Sequence, residues 1–429
     1  MHKTDPRPVH SYYEHSRNRK IGTPALEHDS TFEVVVVGGG LSGCSTALHL
    51  AEQGVKVAVL EARHFGWGAS GRSGGQIING FACGQDTLEK LLGLETARQL
   101  WDHSVKSVEY TRKLVDRHRI DCDLTMGYMH LAEKRRQVTE LEETAADLAD
   151  KYGYHRMALH GRSGLGTWLG SDLYAAGLSD SGSGHLHPLN YCLGIAAAAK
   201  KAGARLFQHS PVTAVESSGG RTTVTCNGVR IHCDTVVYGC NAYLDGLAKE
   251  ISGTIMPVGT YIIATEPLTE EIALELIPSR AAMADLNFIL DYYRLSADHR
   301  MLFGGRVSYS TFEPLRLTGS LNRRMLRVFP RLSGTKIEFS WGGYVAITRN
   351  RAPHVGRLQN GNWFVQGYSG HGMALAGYMG KIIARAVMGD TDEFDCFAGI
   401  PHKHFPGGRW LRMPGLVAAM GYYKLRDRF

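Results

Sequence analysis

Apolar positions along this chain change period several times, and each change marks an element. Four valines occupy 34–37 without polar alternation. Such a run suits a strand of a parallel sheet buried on both faces. It breaks into glycines, then into helical spacing over 41–53, and a second apolar run follows over 55–60. Together these predict a βαβ unit. From 86 to 118 apolar residues recur at helical spacing, among them Leu88, Leu92, Ala97, Leu100 and Trp101. Segment 122–132 reads as a strand, 133–152 as a charged amphipathic helix, and 189–202 as an Ala-rich helix ended by Gly203. Strands are expected over 205–215, 222–226 and 229–238, the last two as a hairpin-like pair. Alternating β-branched and aromatic residues over 255–264 and 288–303 predict an antiparallel sheet facing a ligand cavity. Tyr261, Tyr292, Tyr293 and Tyr309 are its aromatic walls or, equally, its core. A last strand, 362–366, runs into a glycine-rich turn at 367–373 and a small-residue helix to 388. The polar, Tyr- and Arg-rich residues 1–30 predict a surface arm docked by Tyr12 and Tyr13.

The fold class this implies is α/β: a Rossmann-like nucleotide-binding domain plus a second domain with a large antiparallel sheet. A chain of 429 residues is long enough for two intimately packed domains. Its 43% hydrophobic and 21% charged residues are those of an ordinary soluble protein. The net charge of +7 is a mild excess, a solubility surplus or a help in drawing an anionic cofactor. Eight scattered cysteines with no CxxC read as reduced thiols, neither a disulfide frame nor a zinc site. His185 and His187 lack a third ligand at metal spacing, so an ordered turn capping the next helix is expected there and no metal. No run reaches the ~18–20 apolar residues of a membrane span. The polar N-terminus has no secretory pattern, so a cytoplasmic location is expected.

The chemistry sits in the glycines. In Gly38-x-Gly40-x-x-Gly43, Gly38 permits a tight turn, Gly40 lets the backbone approach a pyrophosphate, and Gly43 lets helix and strand pack. The helix start offers N–H groups and a positive dipole end to the phosphates. Glu61, closing the second strand, lies where a carboxylate grips ribose hydroxyls, which favours FAD or NAD over NADP. Segment 64–76 packs five glycines into thirteen residues. It runs beside a cofactor's phosphates and ring, with Arg72 and Gln76 as ring neighbours, or else is a flexible surface loop. The turn at 367–373 repeats the logic of strand, glycine turn and helix N-terminus, aiming a second positive end at the cofactor.

Taken together, V-V-V-V-G-G-G-L-S-G, L-E-A-R, G-W-G-A-S-G-R-S-G-G-Q, G-H-L-H-P-L, D-Y-Y-R-L-S-A-D and G-Y-S-G-H-G resemble the FAD-dependent amine and amino-acid oxidase superfamily. This is the fold shared by D-amino-acid oxidase, glycine oxidase and sarcosine oxidase, and the resemblance covers nearly the whole chain. It implies an FAD-binding domain assembled from 30–85, 160–250 and 340–390, and a substrate domain from 86–159 and 251–339. Residues 1–29 would be an arm and 391–429 a surface segment. It implies that Gly38, Gly40, Leu41, Ser42 and Gly43 hold the pyrophosphate. Glu61 would take the adenosine ribose, with Ala62 and Arg63 also against the cofactor. Gly68, Ala69, Ser70, Arg72, Gly74, Gly75 and Gln76 would lie along the flavin. Val212 would meet the adenine through its backbone, and Asn241 would lie near the cofactor. Gly370, His371, Gly372 and Met373 would present N–H groups to the flavin's pyrimidine edge.

The reaction implied is hydride loss from the carbon next to a neutral amine, giving an imine that hydrolyses. Oxygen is the electron acceptor expected, and no dedicated base is required. His371 and Tyr261 are the residues expected to line the reacting face. Two departures from the family pattern bear on substrate. An arginine that clamps the substrate carboxylate in glycine oxidase is matched here by Val345, after Trp341-Gly342-Gly343, so the bidentate clamp is lost. Arg306, Arg349 and Arg351 are possible substitutes. A lysine that sarcosine oxidase keeps over the flavin is matched by Leu302. The expected substrate is therefore a small amine with its polar groups farther out, such as a γ-glutamylated or free polyamine. A cyclic or secondary amino acid such as pipecolate is the alternative. A pyridine-nucleotide dehydrogenase and a non-catalytic flavoprotein are the other classes. No nucleic-acid partner is expected.

Overall fold

In the computed structural model, residues 10–287, 290–308 and 317–406 are described, except the side chains of 306–308 and 317. The valine strand Val34–Val37 lies inside a six-stranded sheet. Its order is His354–Arg357, Trp363–Gln366, Thr235–Tyr238, Val34–Val37, Val57–Leu60, Arg205–Phe207. Every neighbouring pair is parallel except the first. Val34 and Val36 enter a core shared with helices Leu41–Glu52, Pro188–Lys201 and Met373–Val387. Val35 and Val37 enter a second core. That core is closed by a four-stranded sheet of Ser30–Thr31, Val229–Cys233, Arg221–Cys226 and Val212–Ser218. Two buried faces explain why the run carries no polar position.

A nine-stranded sheet forms the other half. Its path is Ile337–Thr348, Ile255–Thr265, Met301–Ser308, Tyr292–Leu295, Ala282–Asp285, Thr125–Ala132, Ala176–His185, Gln76–Ile77, with Met157–Gly161 also on Ala176–His185. One face sends Ile262, Ala264, Leu302 and Trp341 into the core that holds Val34 and Val36. The other sends Tyr261, Ile263, Met283, Tyr293 and Phe303 into a separate core with Leu321 and Met325. Those last two belong to helix Leu317–Val328.

Several expected elements divide. The helical stretch 86–118 is two helices, Gln85–Leu92 and Leu94–His118, parted at Gly93. Segment 205–215 gives one strand to the six-stranded sheet and another, from Val212, to the four-stranded sheet. Segment 229–238 divides in the same way around Asp234. Segment 288–303 contributes Tyr292–Leu295, which pairs antiparallel with Met301–Ser308. Strands Ala176–His185 and Ile337–Thr348 were not expected, and both join the nine-stranded sheet although 160–250 and 340–390 were expected in the nucleotide-binding half. Ala176–His185 is rich in Gly and Ser, which favour strands weakly; pairing with neighbours on both sides holds it.

In the described part of the N-terminal segment, residues 14–31 are mostly exposed or half-buried, and Tyr12 and Tyr13 dock it as expected. Helix Tyr12–His15, capped by Ser11, buries both tyrosines, Tyr13 completely. The Tyr13 ring meets His187 and Trp341 edge-on at 4.9 and 5.2 Å. No helix among the described residues is long and apolar enough to cross a membrane.

Candidate active site

The first glycine turn is built by close approach. Gly38 has φ +109°, a region costly for other residues. A Cβ on Gly43 would stand 2.0 Å from the Gly38 carbonyl oxygen, so the helix starts against the turn only because Gly43 has none. The N-cap of that helix, Gly40, supplies no side chain. Instead Ser70 reaches in from the second glycine loop and accepts the Leu41 N–H at 3.0 Å. Glu61 accepts the Gly39 and Arg63 N–H groups, each at 2.7 Å. Burial pushes its carboxyl up, while those two N–H groups favour the anion. A carboxylate has about four lone-pair sites, so acceptor capacity remains beside the turn. A helix start with no cap of its own, a glycine turn and a carboxylate in reserve fit a dinucleotide with a free ribose.

The second glycine loop is pinned from several sides. Arg72 is buried, lies 4.1 Å from the Trp67 ring centroid and donates to the Gly342 carbonyl at 3.3 Å. Burial pulls its guanidinium down to about 10. The Trp341 indole N–H donates to the Arg72 carbonyl at 3.0 Å. Arg294, from strand Tyr292–Leu295, donates to the Gly74 carbonyl at 2.8 Å, Leu186 O at 3.0 Å, Leu295 O at 3.1 Å and Tyr13 Oη at 3.3 Å. The sequence reading missed Arg294, although the D-Y-Y-R stretch carries it. Gln76 pairs with His185 at the edge of the large sheet and donates to Met283 O at 3.3 Å.

The late glycine turn meets both early loops. Tyr368 and Ser42 hydroxyls are 2.7 Å apart. Ser73 donates to the Met373 sulfur at 2.8 Å. Gly370 has φ +95°, and a Cβ there would meet nothing within 4 Å, so its backbone borders open space. Gly372 caps helix Met373–Val387, again without a side-chain bond. Asn241, at φ +47°, accepts the Gly367 N–H at 3.0 Å through its side chain, tying this turn to the end of strand Thr235–Tyr238.

His371 Nε2 lies 2.9 Å from the Asn79 carbonyl oxygen, so Nε2 carries the proton and donates. Burial pulls its pKa down, and the exposed Arg351 adds to the effect. The neutral ring therefore keeps its Nδ1 lone pair. Asn79 is itself held: its amide N–H groups donate to Tyr154 Oη at 2.6 Å and Asp180 at 3.1 Å. Tyr154 and Ser183 each donate to Asp180 at 2.5 Å.

The remaining expected residues are spread over several parts of the fold. Tyr261 belongs to the core behind the large sheet, with Ile263 and Phe303, because it alternates with Ile262 along the strand. Tyr293 lies there too. Tyr292 points the opposite way, onto Gly74 and Gly304, where Cβ atoms would stand 2.9 and 2.1 Å from its ring. Leu302 is packed in the largest core. Arg349 is exposed and donates to the His404 carbonyl at 3.3 Å. Tyr309 and the Arg306 side chain lie outside the described residues. Val212 opens its strand opposite Cys226, Ala62 is exposed, and the Arg63 guanidinium lies 5.4 Å from the Trp67 ring centroid. His187 caps helix Pro188–Lys201 by accepting the Asn190 N–H at 3.1 Å, and His185 meets the Arg280 carbonyl at 2.9 Å.

Comparison with known proteins places this architecture. A family model described as FAD dependent oxidoreductase matches residues 33–386. Gamma-glutamylputrescine oxidoreductase of Escherichia coli is 40% identical over 419 residues, covering 97% of this chain and 98% of that protein. A probable oxidoreductase of Haemophilus influenzae is 40% identical over 425 residues, 98% of each chain. The crystal structure of glycine oxidase from Geobacillus kaustophilus superposes with a TM-score of 0.70 at 20% identity, covering 83% of this chain and 95% of that one.

Proposed function

Because the chain belongs to the FAD-dependent oxidoreductase family, whose members act on amine or amino-acid C–N groups, we propose that it oxidises a γ-glutamylputrescine-like amine to an imine. The observation that carries this reading is the end-to-end 40% identity with gamma-glutamylputrescine oxidoreductase, at 97% and 98% coverage. Val345, where a carboxylate-clamping arginine would stand, agrees with a substrate whose carboxylate lies away from the reacting carbon.

FAD supplies the hydride acceptor at the carbon next to nitrogen. This chain's residues hold and orient. Glu61 is assigned the adenosine ribose, the N–H groups following Gly38 and Gly40 the pyrophosphate, and the backbone from Gly370 to Met373 the pyrimidine edge. Gly68, Ala69, Ser70, Arg72, Gly74, Gly75 and Gln76 line the ring, as Arg72 and Arg294 fix that loop. His371, neutral with its proton on Nε2, offers Nδ1 to an N–H of the amine and favours entry of the uncharged form. Tyr292 takes the aromatic position over the reacting face that Tyr261, turned to the rear core, does not occupy. Arg351, exposed and acting electrostatically on His371, is assigned the distal carboxylate. Water then adds to the imine carbon and the nitrogen leaves as ammonia, giving an aldehyde. Molecular oxygen takes the two electrons and two protons, giving hydrogen peroxide.

The test is anaerobic mixing of purified holoenzyme with γ-glutamylputrescine, putrescine or L-pipecolate, followed by admission of air. Bleaching of the flavin by γ-glutamylputrescine and peroxide formation in air are expected. Bleaching by L-pipecolate alone would refute the substrate assignment, and reduced flavin that persists in air would refute oxygen as acceptor.

A further inference from the structure

We infer that His130 is a substrate-contacting residue, the second hydrogen-bond acceptor of the amine pocket, opposite His371. The inference rests on the amine-oxidising reading above. His130 lies on strand Thr125–Ala132, whose register places Tyr128 beside Ala282 and His130 beside Ala284. Ala284 in turn pairs with Tyr292, and Tyr292 with Gly304. Tyr128, Ala282, Ala284 and Tyr292 pack together on the face turned towards Gly74. By strand alternation His130 shares that face, while Met129 and Leu131 enter the rear core.

The ring is braced but not consumed. It meets the Tyr128 ring edge-on at 4.9 Å, which fixes its plane. Among the described residues neither ring nitrogen has a hydrogen-bond partner, and neither is among the sealed, unpartnered polar atoms. Nearby, Asp180 is engaged by Tyr154, Ser183 and Asn79, and the Asn79 backbone carbonyl by His371. Burial pulls His130 down to about 4, with His371 adding to the fall, so the ring is neutral and one nitrogen is an acceptor. An acceptor braced by a neighbouring ring and left without a donor among the described residues matches a ligand that brings N–H groups. An amine with a second nitrogen, as amide or distal amine, would engage His371 and His130 together.

The experiment compares wild type with His130→Ala, His130→Gln and His130→Phe as FAD-loaded proteins, using γ-glutamylputrescine as probe. Substrate Kd is taken from flavin reduction rates, alongside FAD affinity and thermal midpoint. His130→Ala and His130→Phe are expected to weaken γ-glutamylputrescine binding ~10-fold, about one hydrogen bond. FAD affinity and midpoint stay as in wild type. His130→Phe keeps a ring against Tyr128, so the comparison holds if the alanine variant folds poorly. His130→Gln, which restores a carbonyl acceptor, recovers most of the loss. Unchanged substrate binding in both acceptor-free variants, or an equal loss of FAD affinity, overturns the inference alone. A wild-type flavin that γ-glutamylputrescine neither bleaches nor perturbs overturns the substrate reading and the inference with it.

Discussion

Ser73 donates its hydroxyl to the sulfur of Met373 across 2.8 Å, although 300 positions separate them in the chain. One belongs to the second glycine loop, the other opens the last long helix. With the 2.7 Å contact of Ser42 and Tyr368, it brings the early and late glycine segments against each other. A single dinucleotide can therefore be held from both sides, with two helix N-termini contributing positive ends.

Glu61→Ala is expected to weaken FAD binding ~10–100-fold, the loss of charge-assisted bonds to a ribose. It also strips the Gly39 and Arg63 N–H groups of their acceptor. Flavin retained through gel filtration, with titration of the apoprotein, measures the change. Wild-type affinity in the variant would remove Glu61 from the cofactor site.

Gly43→Ala should destabilise the protein by ~1–3 kcal/mol, because the new methyl lands 2.0 Å from a backbone oxygen that cannot swing away. Flavin content should fall with it, since the turn must open. Gly54→Ala is the control: Gly54 has φ +81° but open space around it, so it loses some stability and keeps its flavin. Thermal midpoints and flavin-to-protein absorbance ratios distinguish the two.

Arg294→Met removes four donors from buried acceptors in the glycine loop, the strand, Leu186 and the N-terminal helix. The expected cost is ~3 kcal/mol or more, with Tyr13 loosened as well. Arg294→Lys should recover only part, because an ammonium cannot fork to four acceptors in a plane. Proteolysis between residues 10 and 30 should quicken in the methionine variant, and an unchanged cleavage rate would show that Arg294 does not anchor that segment.

Asp291 is pushed up to about 7, chiefly by burial, with Arg324 opposing at 2.9 Å. Its folded pKa is raised, so the native state binds the proton more tightly than the unfolded chain. The stabilisation is full below about 4, and is lost as pH rises towards 7, with a slope of at most ~1.4 kcal/mol per pH unit. Asp291→Asn should remove this component, flattening the fall of thermal midpoint between pH 4.5 and 7.5. An identical profile in the variant would rule Asp291 out as its source.

The valine run, the glycine spacing and Glu61 made the βαβ unit and its ligand class legible from the sequence, because local backbone requirements are written in residue type at fixed offsets. The same holds for the strand–turn–helix around Gly370 and for the His187 cap. What local pattern left undecided was which face of a strand looks at the ligand. Tyr261 and Tyr292 are equally aromatic and both on alternating strands, yet pairing register sends one to the rear core and the other over Gly74. Arg294 and His130 were equally invisible, since the one acts through partners far away in sequence and the other, among the described residues, has no hydrogen-bond partner. Segment 176–185 had too little β-propensity to be seen; three neighbouring strands, not its own residues, make it a strand. Residue type thus determined the glycine turns, while long-range pairing decided which side chains share a face of the large sheet, because a period-two element has two faces and only the completed sheet chooses between them.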